Sequence, residues 1–201
     1  MRITCMLFLF ASAGWAQNAQ NTEVWWMFGG LRSSSITFPG SSTPVSASTG
    51  VSTEIGYGYQ LKSTKAGHLW LEAPVTFTWR GDAYVYNGYS SGSGQNLWFF
   101  TPGVRLKSPT FGRVSFNGSL GGGLATVIDN SGGTIGPQGL PSAGVSLKVH
   151  PAADFAGSID IRLSRLLSLR GEGRDFVTGR YVSLPAGHLH PVFLVGLAFH
   201  F

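Results

Sequence analysis

This chain has little that could cross-link it and little charge. Its single cysteine, Cys5, falls inside an N-terminal stretch that reads as an export signal, so the exported chain is expected to hold no disulfide. Charged residues make up only 11% of the sequence, and the basic ones are scattered singly. That scatter argues against nucleic acid as a partner. No apolar run reaches the roughly 20 residues of a membrane-spanning helix, which excludes a helical membrane protein. His188 and His190, two residues apart, could hold a metal, but no nearby Cys and few acidic residues complete a site, so neither a metal nor another cofactor is expected. What remains is 43% apolar residues and 29 glycines. Such a composition suits many strands with one side in lipid and a small, polar inner side.

The two ends sharpen this. Met1 and Arg2 open a short basic region, residues 5–13 are apolar, and Gly14-Trp15-Ala16 offers small residues at both cleavage subsites. Residues 1–16 are therefore expected to be a signal peptide and 17–201 the exported domain. Loss of Arg2 lowers the formal charge from +5 to +4. At the other end Phe193, Val195, Leu197, Phe199 and Phe201 fall on every second position. A period of two is one face of a strand.

Alternation of the same kind recurs along the chain and predicts eight strands at 23–31, 51–61, 68–80, 96–107, 113–127, 155–163, 166–176 and 189–201. Connections at 62–67, 107–112 and 164–165 are short. Those at 32–50, 81–95, 128–154 and 177–187 are long and rich in Gly, Ser, Pro and Asn. Short turns at one end and long loops at the other mark an antiparallel, up-and-down, eight-stranded transmembrane β-barrel. Residues 143–149 also alternate, as an upward extension of a strand or as a small extra hairpin that would make ten strands. Trp26, Tyr57, Tyr59, Trp79, Trp98, Phe199 and Phe201 fall on the lipid side.

Charges on the opposite face fix the register. Glu54, Glu72, Arg80, Arg105, Asp160, Arg162, Arg170, Glu172 and Arg174 all lie on the polar faces of their strands. A one-residue slip would turn Arg170, Glu172 and Arg174 outward. Each Arg in lipid costs roughly 2–4 kcal/mol near the midplane, comparable in sum with a domain's whole stability of about 5–15 kcal/mol. Eight strands leave an interior that side chains fill. These charges are expected to pair into a network plugging the lumen, and the glycines at 121–123 to make room for lumen side chains.

The strand pattern, Gly-Tyr-Gly-Tyr at 56–59, Leu-Arg-Gly-Glu-Gly-Arg-Asp-Phe at 169–176 and the last strand together resemble the small eight-stranded bacterial outer-membrane barrels. That group includes the outer membrane protein A transmembrane domain and the opacity- and attachment-type surface proteins. Gly196, Phe199 and Phe201 resemble the C-terminal assembly signal of such barrels, although Leu194 stands where a polar residue is usual. The resemblance covers nearly all of residues 17–201. It implies Sec export, an outer-membrane location, insertion by the barrel assembly machinery and contact with outer-membrane lipids. It specifies function weakly, because members of the group differ in their loops.

Several local motifs admit plainer readings. Gly88-Tyr-Ser-Ser-Gly92 matches a nucleophile pattern but lacks the strand-to-helix turn that activates it. Arg80-Gly81-Asp82 has the form of an adhesion tripeptide, yet a strand-end Arg before a turn explains it. His188 and His190 share one face near the outer end of the last strand and read as interface histidines, without the His–Ser spacing of lipid-modifying barrels. Tyr84, Tyr86 and Tyr89, among Ser, Gly and Asn, suit either a binding loop or an aromatic belt on extended strands. The expectation is a monomeric, non-catalytic structural or surface-interaction barrel that meets an extracellular ligand through four loops. A lipid-modifying barrel enzyme, a narrow channel and a soluble lipocalin-like barrel are the alternatives.

Overall fold

A computed structural model of the chain describes residues 21–32, 35–36, 45–46, 50–86, 89–135, 141–178 and 189–201. Over 80–86, 89–95, 129–135 and 141–146, as over 35–36 and 45–46, it describes the backbone path alone. The segment expected as a signal peptide, His188 and most of the first and last long loops lie outside the described residues.

The strands are β1 (Thr22–Leu31), β2 (Ser35–Ile36), β3 (Val45–Ser46), β4 (Gly50–Thr64), β5 (Gly67–Tyr86), β6 (Tyr89–Phe100), β7 (Gly103–Lys107), β8 (Val114–Ile135), β9 (Pro141–Arg162), β10 (Leu167–Thr178) and β11 (Leu189–His200). β2 and β3 form a separate two-stranded ribbon. The other strands pair with their neighbours in sequence, all antiparallel, and β1 pairs with β11 to close the ring. Counting β6 and β7 as one interrupted strand, the molecule is a closed eight-stranded barrel.

Closure is tied at both ends of the β1–β11 seam. Thr22 and Phe201 exchange backbone hydrogen bonds of 3.2 and 2.9 Å, and the Arg32 N–H donates to the Pro191 carbonyl at 2.9 Å. Gly196 sits opposite Met27, where an added Cβ would run into the β1 backbone. The closing strand therefore approaches its partner at a residue without a side chain. Phe199 points outward from the same strand and Phe201 is half-buried.

Three expectations about boundaries change. First, the strand expected at 96–107 is split at Thr101-Pro102, without a register shift between β6 and β7. The register places Pro102 and Pro74 in the interrupted stretch, and neither carries a backbone donor. Second, most of the loops expected at 81–95 and 128–154 is strand, since β5 and β6 meet at Tyr86↔Tyr89 and β8 and β9 at Ile135↔Pro141. Residues 143–149 are thus the upward extension of β9 and not an extra hairpin. Third, Arg80-Gly81-Asp82 and Ser90-Ser91 are ladder positions, not loop residues. Gly112 makes the tight turn before β8 with a positive φ of 65°, a conformation that favours glycine.

The exterior is apolar. Leu120, Val51 and Phe193 expose 64%, 63% and 59% of their surface, alongside Trp26, Trp79, Trp98 and many others. A soluble protein does not carry such a continuous patch. A barrel in lipid must, because only a closed ladder satisfies its backbone there. Among the described residues there is no helix.

Candidate functional site

The inner face of each strand follows the same period of two that puts apolar residues outside. It delivers acids and bases into one space with two ends, a mouth beside the termini and a far end beneath the long hairpins. Near the mouth lies the first cluster. Arg170 on β10 grips Asp160 on β9 through Nε and Nη2, at 2.7 and 2.9 Å, and reaches Glu23 on β1 at 2.6 Å. Arg105 on β7 meets the same Glu23 oxygen at 2.8 Å. Lys107 bridges Asp160 at 2.7 Å and Glu23 at 3.5 Å.

The second cluster lies deeper and is built on one cation. Arg174 on β10 faces Glu172 at 2.8 Å, Glu72 at 3.2 Å, Glu54 at 3.4 Å and Asp154 at hydrogen-bond contact. Glu54 also accepts from Trp25 Nε1 at 2.8 Å and from Thr76 Oγ1 at 2.7 Å. Arg105, 3.7 Å from Glu72, joins the clusters. So does Trp25, whose ring lies 5.1 Å from the Arg105 guanidinium and 5.2 Å from that of Arg170. That ring rests against Gly56, where any Cβ would overlap it, and touches the space over Gly58. The inward glycines of Gly-Tyr-Gly-Tyr thus seat Trp25 while the tyrosines face out.

Above the clusters the interior turns apolar. Phe99 and Phe176 stack with centroids 4.0 Å apart and planes 12° apart, and Leu31, Leu97, Val127 and Val192 are buried around them. This layer and the ion clusters fill successive levels of the interior.

Of the residues expected in the lumen network, Glu54, Glu72, Arg105, Asp160, Arg170, Glu172 and Arg174 come together and are buried. Arg162 is exposed and lines the mouth instead. Only the backbone path is described for Arg80, Tyr84, Tyr86 and Tyr89; Tyr84 pairs with Ser91 and Tyr86 with Tyr89. Of the three glycines at 121–123, Gly121 and Gly123 face tight neighbours and Gly122 faces open space. His190 is a correction: it is buried inside the barrel and shares a hydrogen bond of 2.9 Å with Thr178, so it is no interface residue.

Sequence reasoning missed Glu23, Asp154, Lys107 and His200. Glu23 shares the parity of Trp25 and Met27, the polar-side partners of an otherwise apolar strand face, and that parity was the available signal.

At the mouth Ser168 Oγ lies 2.9 Å from His200 Nε2, and His200 Nδ1 lies 3.2 Å from Glu23 Oε2. The set has the composition of a nucleophile, base and acid. Its acid, however, is the hub of the first ion cluster. The same hydroxyl–imidazole pairing recurs at the far end in Thr178 and His190. Its recurrence at both ends fits an interior tie between β10 and β11.

No protein-family model matches the chain, and no curated protein matches its sequence. Solved structures do match. Neisserial surface protein A aligns with a TM-score of 0.61 at 14% identity, over 90% of this chain and 97% of that one. Outer membrane protein OprG from Pseudomonas aeruginosa gives 0.53 at 12%, over 90% and 95%. Ail, the attachment invasion locus protein of Yersinia pestis, gives 0.51 at 9%, over 90% and 97%. The chain has the fold of the small outer-membrane barrels. At these identities the likeness speaks to architecture, and function must come from this chain's own surfaces.

Proposed function

We propose that the protein is a non-catalytic surface-interaction barrel of the bacterial outer membrane, working as a monomer through hairpins that stand beyond the lipid. One observation carries this reading: long projecting strands above a filled lumen. A tilted strand crosses the hydrocarbon with about 9–11 residues. β8 and β9 each run for 22 residues and β5 for 20. Roughly half of the β8–β9 hairpin therefore lies outside the bilayer, held in register by its own ladder. A ladder of that length presents a rigid edge and two faces to a partner, which lowers the ordering cost of binding. Beneath it, the stacked Phe99–Phe176 layer and the buried ion clusters occupy the interior, which supports a role outside the barrel rather than transport. The names of two structural neighbours, a surface protein and an attachment invasion protein, agree with an exterior role.

The test is to express the barrel in a laboratory Gram-negative strain and measure cell binding to host-cell matrix and sulfated glycans. A variant with residues 129–146 replaced by a two-residue turn is the comparison. Binding that disappears with the hairpin, while both proteins stay folded in the outer membrane, is the expected result. Equal binding by the two strains would remove the proposal. Lipid A from these cells should keep its acyl pattern. A changed pattern would replace this reading with a lipid-modifying enzyme.

A further inference from the structure

The mouth beside the termini holds a cavity of about 350 Å³ that the surface-interaction reading does not use. It is far larger than the roughly 30 Å³ share of one water molecule. Its wall is rich in donors. Lys107, Arg113 and Arg162 bring three cations to it, and Gln60 and Ser115 add an amide and a hydroxyl. The carboxylate in the wall is Asp160, and its oxygens are already engaged by Arg170 and Lys107. His68, also in the wall, meets Ser63 at 2.9 Å, and His200 meets Ser168.

Trp70 supplies an independent observation. It lies against the same cavity, is only 3% exposed, and its indole N–H is sealed from solvent with no hydrogen-bond acceptor in the protein. A buried donor left without an acceptor is costly. This donor sits with its ring 6.0 Å from the Lys107 ammonium and 5.2 Å from the Arg105 guanidinium. Any acceptor that satisfies it enters a cationic field.

We propose that this mouth binds a tetrahedral oxyanion, the phosphate group of a free anion or of a lipid headgroup. Lys107 is already shared between Asp160 and Glu23, but the wall adds the Arg113 and Arg162 guanidinium forks with an amide and hydroxyls, a donor set that the several oxygens of a phosphate match. A headgroup has a route in. Phe111 and Leu163, on the outside of the same rim, are 65% and 53% exposed, so lipid chains can lie against the barrel while the phosphate turns inward.

The experiment follows the Trp70 indole proton by NMR in maltoside micelles, which contain no phosphate. A Trp70→Phe variant assigns the resonance. Inorganic phosphate is titrated at constant ionic strength, and phosphatidylglycerol is doped into separate micelles. A saturable shift with inorganic phosphate identifies a free-anion site, and a shift with phosphatidylglycerol alone identifies a headgroup site. In either case the R113Q/R162Q double variant should bind about tenfold more weakly or worse. Both arginines are exposed, so the variant should fold, and its heat-modifiable gel shift checks that it has. No shift with either ligand would overturn the proposal. So would an equal shift with sodium chloride, or an unchanged titration in the folded double variant.

Discussion

The two ion clusters of the lumen are made from the same residue types and balanced in opposite ways. Near the mouth, Glu23 and Asp160 are shared among Arg105, Lys107 and Arg170. Deeper in, Glu54, Glu72, Asp154 and Glu172 converge on Arg174, with Arg105 touching only the edge of the group. The first cluster has one cation more than its carboxylates, and the second has three carboxylates more than its one central cation. A buried charge is tolerable only when paired, so the two clusters should answer oppositely to the loss of an acid and the loss of a base. The difference also gives the mouth its surplus of donors, on which the phosphate proposal rests.

Substitutions can break that comparison. The largest effect is expected for Arg174→Met, which strips four carboxylates of their shared guanidinium. It should cost about 3–5 kcal/mol, read as a fall in the urea midpoint of the micelle-bound barrel by tryptophan fluorescence. Glu23→Gln should come next, at about 2–3 kcal/mol, because it leaves Lys107 and Arg170 to share Asp160 and Arg105 with only Glu72 at 3.7 Å. Gly56→Ala tests the joint between the clusters. Displacing Trp25 should cost about 1–3 kcal/mol and shift the emission of the buried indole. The smallest effect belongs to Glu172→Gln, expected within about 1 kcal/mol of wild type or slightly stabilising, since Arg174 keeps three other carboxylates. If Glu172→Gln proved as damaging as Glu23→Gln, the contrast between the clusters would be lost.

How much of this was legible depended on lipid. Where a strand crosses the membrane, its outer face must be apolar, so the alternation at Leu167, Leu169 and Gly171 against Ser168, Arg170 and Glu172 could be read directly. Above the membrane no lipid enforces that contrast. The Gly/Ser/Asn-rich upper parts of β5, β6, β8 and β9 therefore looked like loops, although the ladder continues through them. Asp154 is hidden for the same reason, since the sequence around it reads as loop. Glu23 was lost for another reason: β1 declares itself by Trp26 and Phe28, which are exposed, while the inward side carries Trp25 and Met27 and resembles a second apolar face. Strand positions could be assigned from sequence. The convergence of four carboxylates on Arg174 could not, since it depends on the stagger of β4, β5, β9 and β10 around the barrel.

The most direct test of a filled, sealed lumen is ion current across a planar bilayer containing the folded barrel, its insertion verified by the gel shift between boiled and unboiled samples. A filled lumen predicts a bilayer that stays electrically silent as protein accumulates. Discrete, reproducible conductance steps from folded protein would contradict it.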